Sequence, residues 1–365
     1  HGTHVASTAV GNPVSSTFAG VPLTITGVAP RSNLIVYRGC GSTSASRLCG
    51  SSAPLLASIN RAIADGVDVI NYSVGGDAFD PWSELGAAIN SDEEAFLAAR
   101  EAGIVVVTAA GNDGPDPGTL GSPSNAPWVL GVAAVTHDRD GAGDRLASFS
   151  SRGPVLPLGI VKPDVAAPGD GIRAANNDSN GVVQMSGTSM ASPHVAGAAA
   201  LLAAARPSWN ADQIMTALTL TARAGAIVSE VDGSPTTPHD RGAGTIDLSR
   251  AVNASLSLNV AAGSFRDGSV ALASTLNVPS LAHGNCVDSC TLTRTFSAMP
   301  GTAGGQFQVI PELPAGIAFT APASFSVAAG GSQAVAFRFA ANAQSVINRW
   351  VYGSVMVRRV GGGTP

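Results

Sequence analysis

Lysine is almost missing from this chain of 365 residues: of its 20 basic residues only Lys162 is a lysine, a compositional bias with no functional reading. Charge of either sign is scarce, at 12% of residues, and the net charge is −5. That balance leaves no basic footprint and excludes nucleic acid as a partner class. No apolar run reaches the ~18 residues of a membrane span. The longest candidate, Val195 to Ala205, is closed by His194 and Arg206, so no transmembrane segment is expected. Internal repeats are absent. Cysteine is sparse, with Cys40 close to Cys49 and Cys286 close to Cys290. Two local disulfides are the expectation, which places the chain in an oxidising, extracellular setting. A four-thiolate zinc site is the alternative, but it needs both pairs to converge and neither has C-x-x-C spacing. An initiator methionine and a signal peptide are also lacking. The expectation is therefore a fragment, truncated at its N-terminus, of a longer secreted precursor with a signal and pro-segment upstream.

What is present is apolar and rich in turns: 45% hydrophobic residues, 43 glycines and 23 prolines, which excludes a disordered chain. The length fits two domains. Up to residue 254 strand and helix patterns alternate. Asn33–Arg38, Val67–Tyr72, Ile104–Thr108 and Val129–Val135 read as strands. Leu55, Leu56, Ile59 and Ile63 recur at helical spacing up to Asp65-Gly66. Ser91 with Glu94, and Asn210 with Gln213, mark two further helix starts. The class is α/β, a three-layer α/β/α arrangement around a mostly parallel sheet. From residue 255 helical periodicity disappears and short alternating runs follow, among them Leu292–Phe296, Phe325–Val327, Val335–Phe339 and Val351–Val357. Residues 255–365 are expected to form a smaller all-β sandwich.

The chemistry concentrates in three runs. Gly187-Thr188-Ser189-Met190-Ala191-Ser192-Pro193-His194-Val195-Ala196-Gly197 places Ser189 at the mouth of an apolar helix, where free N–H groups and the helix dipole favour negative charge. An alcohol needs a base to become a nucleophile, and His1-Gly2-Thr3-His4-Val5-Ala6-Ser7 offers His1. Val105-Val106-Val107-Thr108-Ala109-Ala110-Gly111-Asn112-Asp113-Gly114 ends a buried strand on Asn112, an amide donor in a turn. His4 and His194 point into apolar sequence and read as buried structural histidines. His239 and His283 lie in loop-like surroundings and read as exposed.

These runs, in this order, resemble the histidine, asparagine and serine motifs of the subtilisin-like serine proteases, and the resemblance covers nearly all of residues 1–254. It implies a secreted endopeptidase in which Ser189 is the nucleophile, His1 the base and Asn112 an oxyanion donor. Protein or peptide substrates are the implied partners. It further implies a substrate cleft lined by Ser73-Val74-Gly75 and Ala109-Ala110-Gly111, with Gly121 on the floor of a pocket open to a large apolar side chain. Residues beyond 254 resemble the fibronectin-III-like domain that follows the catalytic domain in some large relatives. No cofactor is implied. Calcium is common in the family, but Asp138, Asp140 and Asp144 form no matching ligand set. The chain departs from the family in one respect. The catalytic aspartate belongs upstream of the histidine motif, and none of Asp65, Asp68 or Asp77 sits in a matching context. These residues alone are therefore expected to be nearly inactive. An α/β-hydrolase esterase is one alternative, although G-x-S-x-G fails at Ala191. A catalytically dead protease scaffold that only binds is the other.

Overall fold

The computed structural model describes residues 1–40, 52–83, 91–137, 143–154, 159–225, 227–341 and 349–362. Helix α1 (Gly2–Val10) is followed by a hairpin of β1 (Val14–Phe18) and β2 (Val21–Ile25). Its two-residue turn, Ala19-Gly20, has positive φ at both positions, 48° and 79°, the geometry that matches the twist of paired strands. No Asn-Gly signal announces this hairpin. Next come α2 (Ser52–Asp65), β3 (Val69–Tyr72), α3 (Asp92–Glu101), β4 (Val105–Ala109), β5 (Leu130–Val135), β6 (Arg145–Leu146) and β7 (Val165–Pro168). A second hairpin, β8 (Ile172–Ala175) with β9 (Val182–Met185), leads into α4 (Thr188–Ala205), α5 (Ala211–Leu220) and β10 (Val228–Ser229).

The central sheet has the order β10-β6-β5-β4-β3, with β7 also on β5. All its pairings are parallel except β5 with β6. Both faces are covered, which explains the unbroken apolar run of β4. Val105 and Val107 face a core shared with α4 and α5, whereas Ile104 and Val106 face a core with α3 and α2. α4 is apolar all round and accordingly buried, with Met190, Ala191, Val195, Ala198, Ala199 and Leu202 each at most 1% exposed. Its small residues admit close neighbours: a Cβ on Gly197 would lie 2.7 Å from Val28 and 2.8 Å from the Ala9 carbonyl. Asn210 and Gln213 form a full capping box at α5. At α3 only the Ser91 half forms, accepting from Glu94 N at 3.2 Å.

Asn33–Arg38 is not a strand. Among the described residues nothing pairs with it, and Leu34, Ile35 and Val36 stay 54%, 50% and 68% exposed. An extended apolar run without a neighbour to share its backbone hydrogen bonds gains no sheet.

From β11 (Leu256–Ser257) onward the chain builds two facing antiparallel sheets. They comprise β12 (Ser289–Ala298), β13 (Gly304–Glu312), β14 (Ile317–Thr320), β15 (Ser324–Ala328), β16 (Ser332–Ala341) and β17 (Ser354–Arg359). The orders are β11-β12-β16-β14 and β15-β13-β17. Phe296, Phe307, Phe325 and Phe337 fill the space between them. Cys286 and Cys290 are bridged just before and within β12, with Cα atoms 5.4 Å apart. Cys40 is also disulfide-bonded, and Cys49 lies outside the described residues.

Helix does persist past Leu256: Ala262–Arg266 is helical and Val270–Thr275 is a 3-10 turn. Neither is long enough to show a period in sequence. They form because Phe265 is fully buried against Trp128, at a ring distance of 6.0 Å, and because its carbonyl accepts from Trp82 Nε1 at 2.9 Å.

Candidate active site

The site is assembled where three chain segments meet at the N-terminus of α4. Gly187 is the helix cap and offers no side chain. Its amide is held by the Gly169 carbonyl at 2.9 Å. Gly169 must be glycine, since a Cβ there would lie 2.6 Å from the Ala134 side chain and 2.8 Å from the Gly187 carbonyl. The turn after β7 therefore fixes the entry to α4 through backbone alone. The first turn of α4 carries no acidic side chain, so the positive end of its dipole is not neutralised locally.

Ser189 is the second residue of α4. Its hydroxyl donates to the Ser73 carbonyl at 3.3 Å, and the Ser73 hydroxyl donates to the Ser189 carbonyl at 3.0 Å. At 3.3 Å the first of these is long for an O–H donor and easily surrendered. Among the described residues, no acceptor meets the Ser189 N–H.

Asn112 lies just past the end of β4. Its Oδ1 accepts from Thr188 N at 2.8 Å and from the Thr188 hydroxyl at 3.0 Å. The Thr188 hydroxyl also bridges both backbone groups of Gly111, at 3.2 and 3.1 Å. With the oxygen end of the amide so engaged, Nδ2 is left as a free donor next to the Ser189 turn. Among the described residues, the Ser189 N–H and Asn112 Nδ2 are therefore both without a hydrogen-bond acceptor.

The other expected cleft residues are close by. Gly121 N donates to the Ala110 carbonyl at 2.9 Å, and Gly76 and Ser122 exchange two backbone hydrogen bonds of 3.0 and 2.9 Å. A Cβ on Gly121 would sit 2.6 Å from the Gly76 carbonyl, and one on Gly75 would sit 2.7 Å from the Ser122 carbonyl. These glycines are demanded by crossing backbones. Gly111 adopts φ +111°, and a Cβ there would lie 2.7 Å from Ser151 Oγ. Ser73, Val74 and Gly75 on one side, and Ala109, Ala110 and Gly111 on the other, form adjoining rims that end the parallel strands β3 and β4.

His1 caps α1, which packs along α4 through Val5 against Met190. The His1 ring is exposed and, among the described residues, makes no hydrogen bond or ion pair, so it is not joined to Ser189 here. His4 is buried, with Nε2 facing the Ile172 carbonyl at 3.0 Å. His194 places Nδ1 2.8 Å from the Met190 carbonyl. Burial lowers the pKa of both and keeps them neutral. His239, expected on the surface, is only 1% exposed. It sits between Trp350 and Tyr352 with ring distances of 4.7 and 5.5 Å, and burial pushes its pKa down to about 4. A contact 111 positions away in sequence leaves no local signal, which is why its surroundings read as a loop. His283 is half-buried.

Asp144 accepts from the Thr245 hydroxyl at 3.2 Å, whereas Asp138 and Asp140 lie outside the described residues. Among the described residues no group of three potential metal ligands gathers, and no helix is long and apolar enough to cross a membrane.

The structure thus seats a serine hydroxyl at the start of a buried helix, beside the ends of the parallel strands of an α/β/α sheet. Residues 1–245 match the Subtilase family, and the chain belongs to it. It is 36% identical over 189 residues to the subtilisin-like protease SBT2.4 of Arabidopsis thaliana, covering 47% of this chain but only 21% of that protein. Against Subtilisin DY of Bacillus licheniformis it is 35% identical over 226 residues, which is 61% of this chain and 70% of that one. Among solved structures the S41 psychrophilic protease superposes with a TM-score of 0.54 at 30% identity, covering 68% of this chain and 77% of its own. The fold is thus a subtilisin-like α/β fold.

Sequence reasoning passed over Thr188, which fixes which end of the Asn112 amide faces outward. It also passed over Asn71 and Ser192, which touch across β3 and α4. The available signal was spacing. Ser189 and Ser192 share one helix face, and Asn71 and Ser73 share one strand face.

Proposed function

We propose that this chain carries the serine-endopeptidase machinery of a secreted protease, with Ser189 as nucleophile, His1 as general base and Asn112 as oxyanion donor. The observation that carries it is the Asn112 amide, held by its oxygen to Thr188, the residue before Ser189, so that Nδ2 is left unengaged. In this reading a peptide lies between the Ser73–Gly75 and Ala109–Gly111 rims as an added strand, with a large apolar side chain directed toward Gly121. His1 removes the Ser189 proton as Oγ bonds to the scissile carbonyl carbon. The oxygen that gains the electron pair is met by the Ser189 N–H and Asn112 Nδ2. The C–N bond then breaks, the amine leaving with the proton from His1, and water hydrolyses the acyl ester by the reverse sequence. Among the described residues no carboxylate forms an ion pair with the His1 ring. The two-sheet unit serves as a fibronectin-III-like module beside the protease.

The test is covalent labelling of the full-length protein with a fluorophosphonate, followed by peptide mapping. The label is expected on Ser189 and is lost in Ser189→Ala together with casein cleavage. Hydrolysis of lipid esters without casein cleavage would favour an esterase, and an unlabelled, folded protein would leave only a binding role.

A further inference from the structure

We infer that Asn71 is a positioning residue for the nucleophile, acting through a hydrogen-bonded brace that replaces a helix bond removed by Pro193. This rests on the reading of Ser189 as the nucleophile. Pro193 lies inside α4. In a regular helix the N–H of residue 193 would donate to the carbonyl of residue 189. Proline has no N–H, so the carbonyl of the reacting serine has no partner within its own helix.

That vacancy is filled by the residue that follows β3. The Ser73 hydroxyl donates to the Ser189 carbonyl at 3.0 Å. The direction of this bond is set one step further back. Asn71 Nδ2 donates to Ser73 Oγ at 3.1 Å, so the Ser73 proton is free to point at Ser189. The Asn71 amide is oriented in turn by the fully buried Ser192, whose hydroxyl donates to Oδ1 at 2.8 Å. The chain Ser192–Asn71–Ser73–Ser189 therefore runs in one sense and ends on the backbone of the nucleophile. It also closes on itself, because the Ser189 hydroxyl rests on the Ser73 carbonyl. The amide at position 71 both accepts from Ser192 and donates to Ser73. A leucine does neither, and a carboxylate only accepts.

The consequence is that Asn71 governs the turnover of each correctly folded site and not substrate affinity. In the full-length protein, sites are counted by fluorophosphonate titration and kcat is expressed per titrated site. Asn71→Leu is expected to lower that kcat about tenfold while KM for a short peptide stays within about twofold. The discriminating variant is Pro193→Ala, which restores an N–H opposite the Ser189 carbonyl. In that background Asn71→Leu is expected to cost less than about threefold, since the helix then holds the carbonyl unaided. An equal loss in both backgrounds, or an unchanged kcat per site in Asn71→Leu, overturns the brace. If Asn71→Leu does not fold, Ser192→Ala frees the amide to rotate. A loss confined to the Pro193 background is expected there too, and no loss overturns the brace. Absence of label on the parent protein overturns the nucleophile reading itself, and the brace with it.

Discussion

The two halves of this molecule are packed from different materials. The α/β half is filled with alanine, glycine and valine around α4, whereas the sandwich is filled with phenylalanine between its sheets. Small residues let backbones approach to contact, as at Gly169, Gly121 and Gly197, and the site is accordingly built from backbone amides and carbonyls with few side chains. Large residues keep the sheets apart at side-chain distance, and alternate polar positions face outward. One half uses packing to place dipoles; the other uses it to exclude water.

The widest contrast comes from emptying the sandwich core. Phe337→Ala removes a ring that is 1% exposed and is expected to cost about 3–5 kcal/mol of stability. Chemical denaturation reads the loss, and kcat per titrated site stays unchanged if the halves divide the labour as described. On the other side, if Asn112 is the oxyanion donor proposed above, Asn112→Ala is expected to lower kcat about 10²–10³-fold, the usual magnitude for losing one such donor. Its denaturation midpoint should fall by less than that of Phe337→Ala, since the loss is one acceptor for the buried Thr188 N–H and not a core ring.

The smallest effect tests the seam between the halves. His239 belongs to the α/β half and its cage, Trp350 and Tyr352, to the chain beside β17. Its folded pKa, about 4, is below the ordinary 6.5, so the folded state resists a proton that the unfolded chain accepts. Stability is therefore complete above about pH 6.5 and declines as pH falls toward 4, by up to about 3 kcal/mol. Asp240, Arg152 and Arg241 share that corner and shape the profile, with Arg152 3.7 Å from Asp240. Thermal unfolding against pH should show the decline, and His239→Phe should flatten it. A profile identical in both proteins would remove His239 from the seam.

Much of the fold was legible because it is periodic. β4 and β5, α4 and the capped α5 follow from apolar runs and cap residues within single segments. Asn33–Arg38 shows the limit: an apolar, β-branched run becomes a strand only where another strand accepts its hydrogen bonds. The short helix at Phe265 shows the converse, since it exists because Trp128 and Trp82 receive it.

The sequence alone determined the class of this protein, because helix dipole, cap, apolar period and motif order are local properties that survive without coordinates. Only tertiary structure decided which end of the Asn112 amide is free, what replaces the hydrogen bond that Pro193 removes, and that His239 is buried. Each of these depends on a partner from another segment, 76 residues away for Thr188 and Asn112 and 116 for Ser73 and Ser189. Orientation of a hydrogen bond is a property of the pair, and no single stretch of chain contains both members.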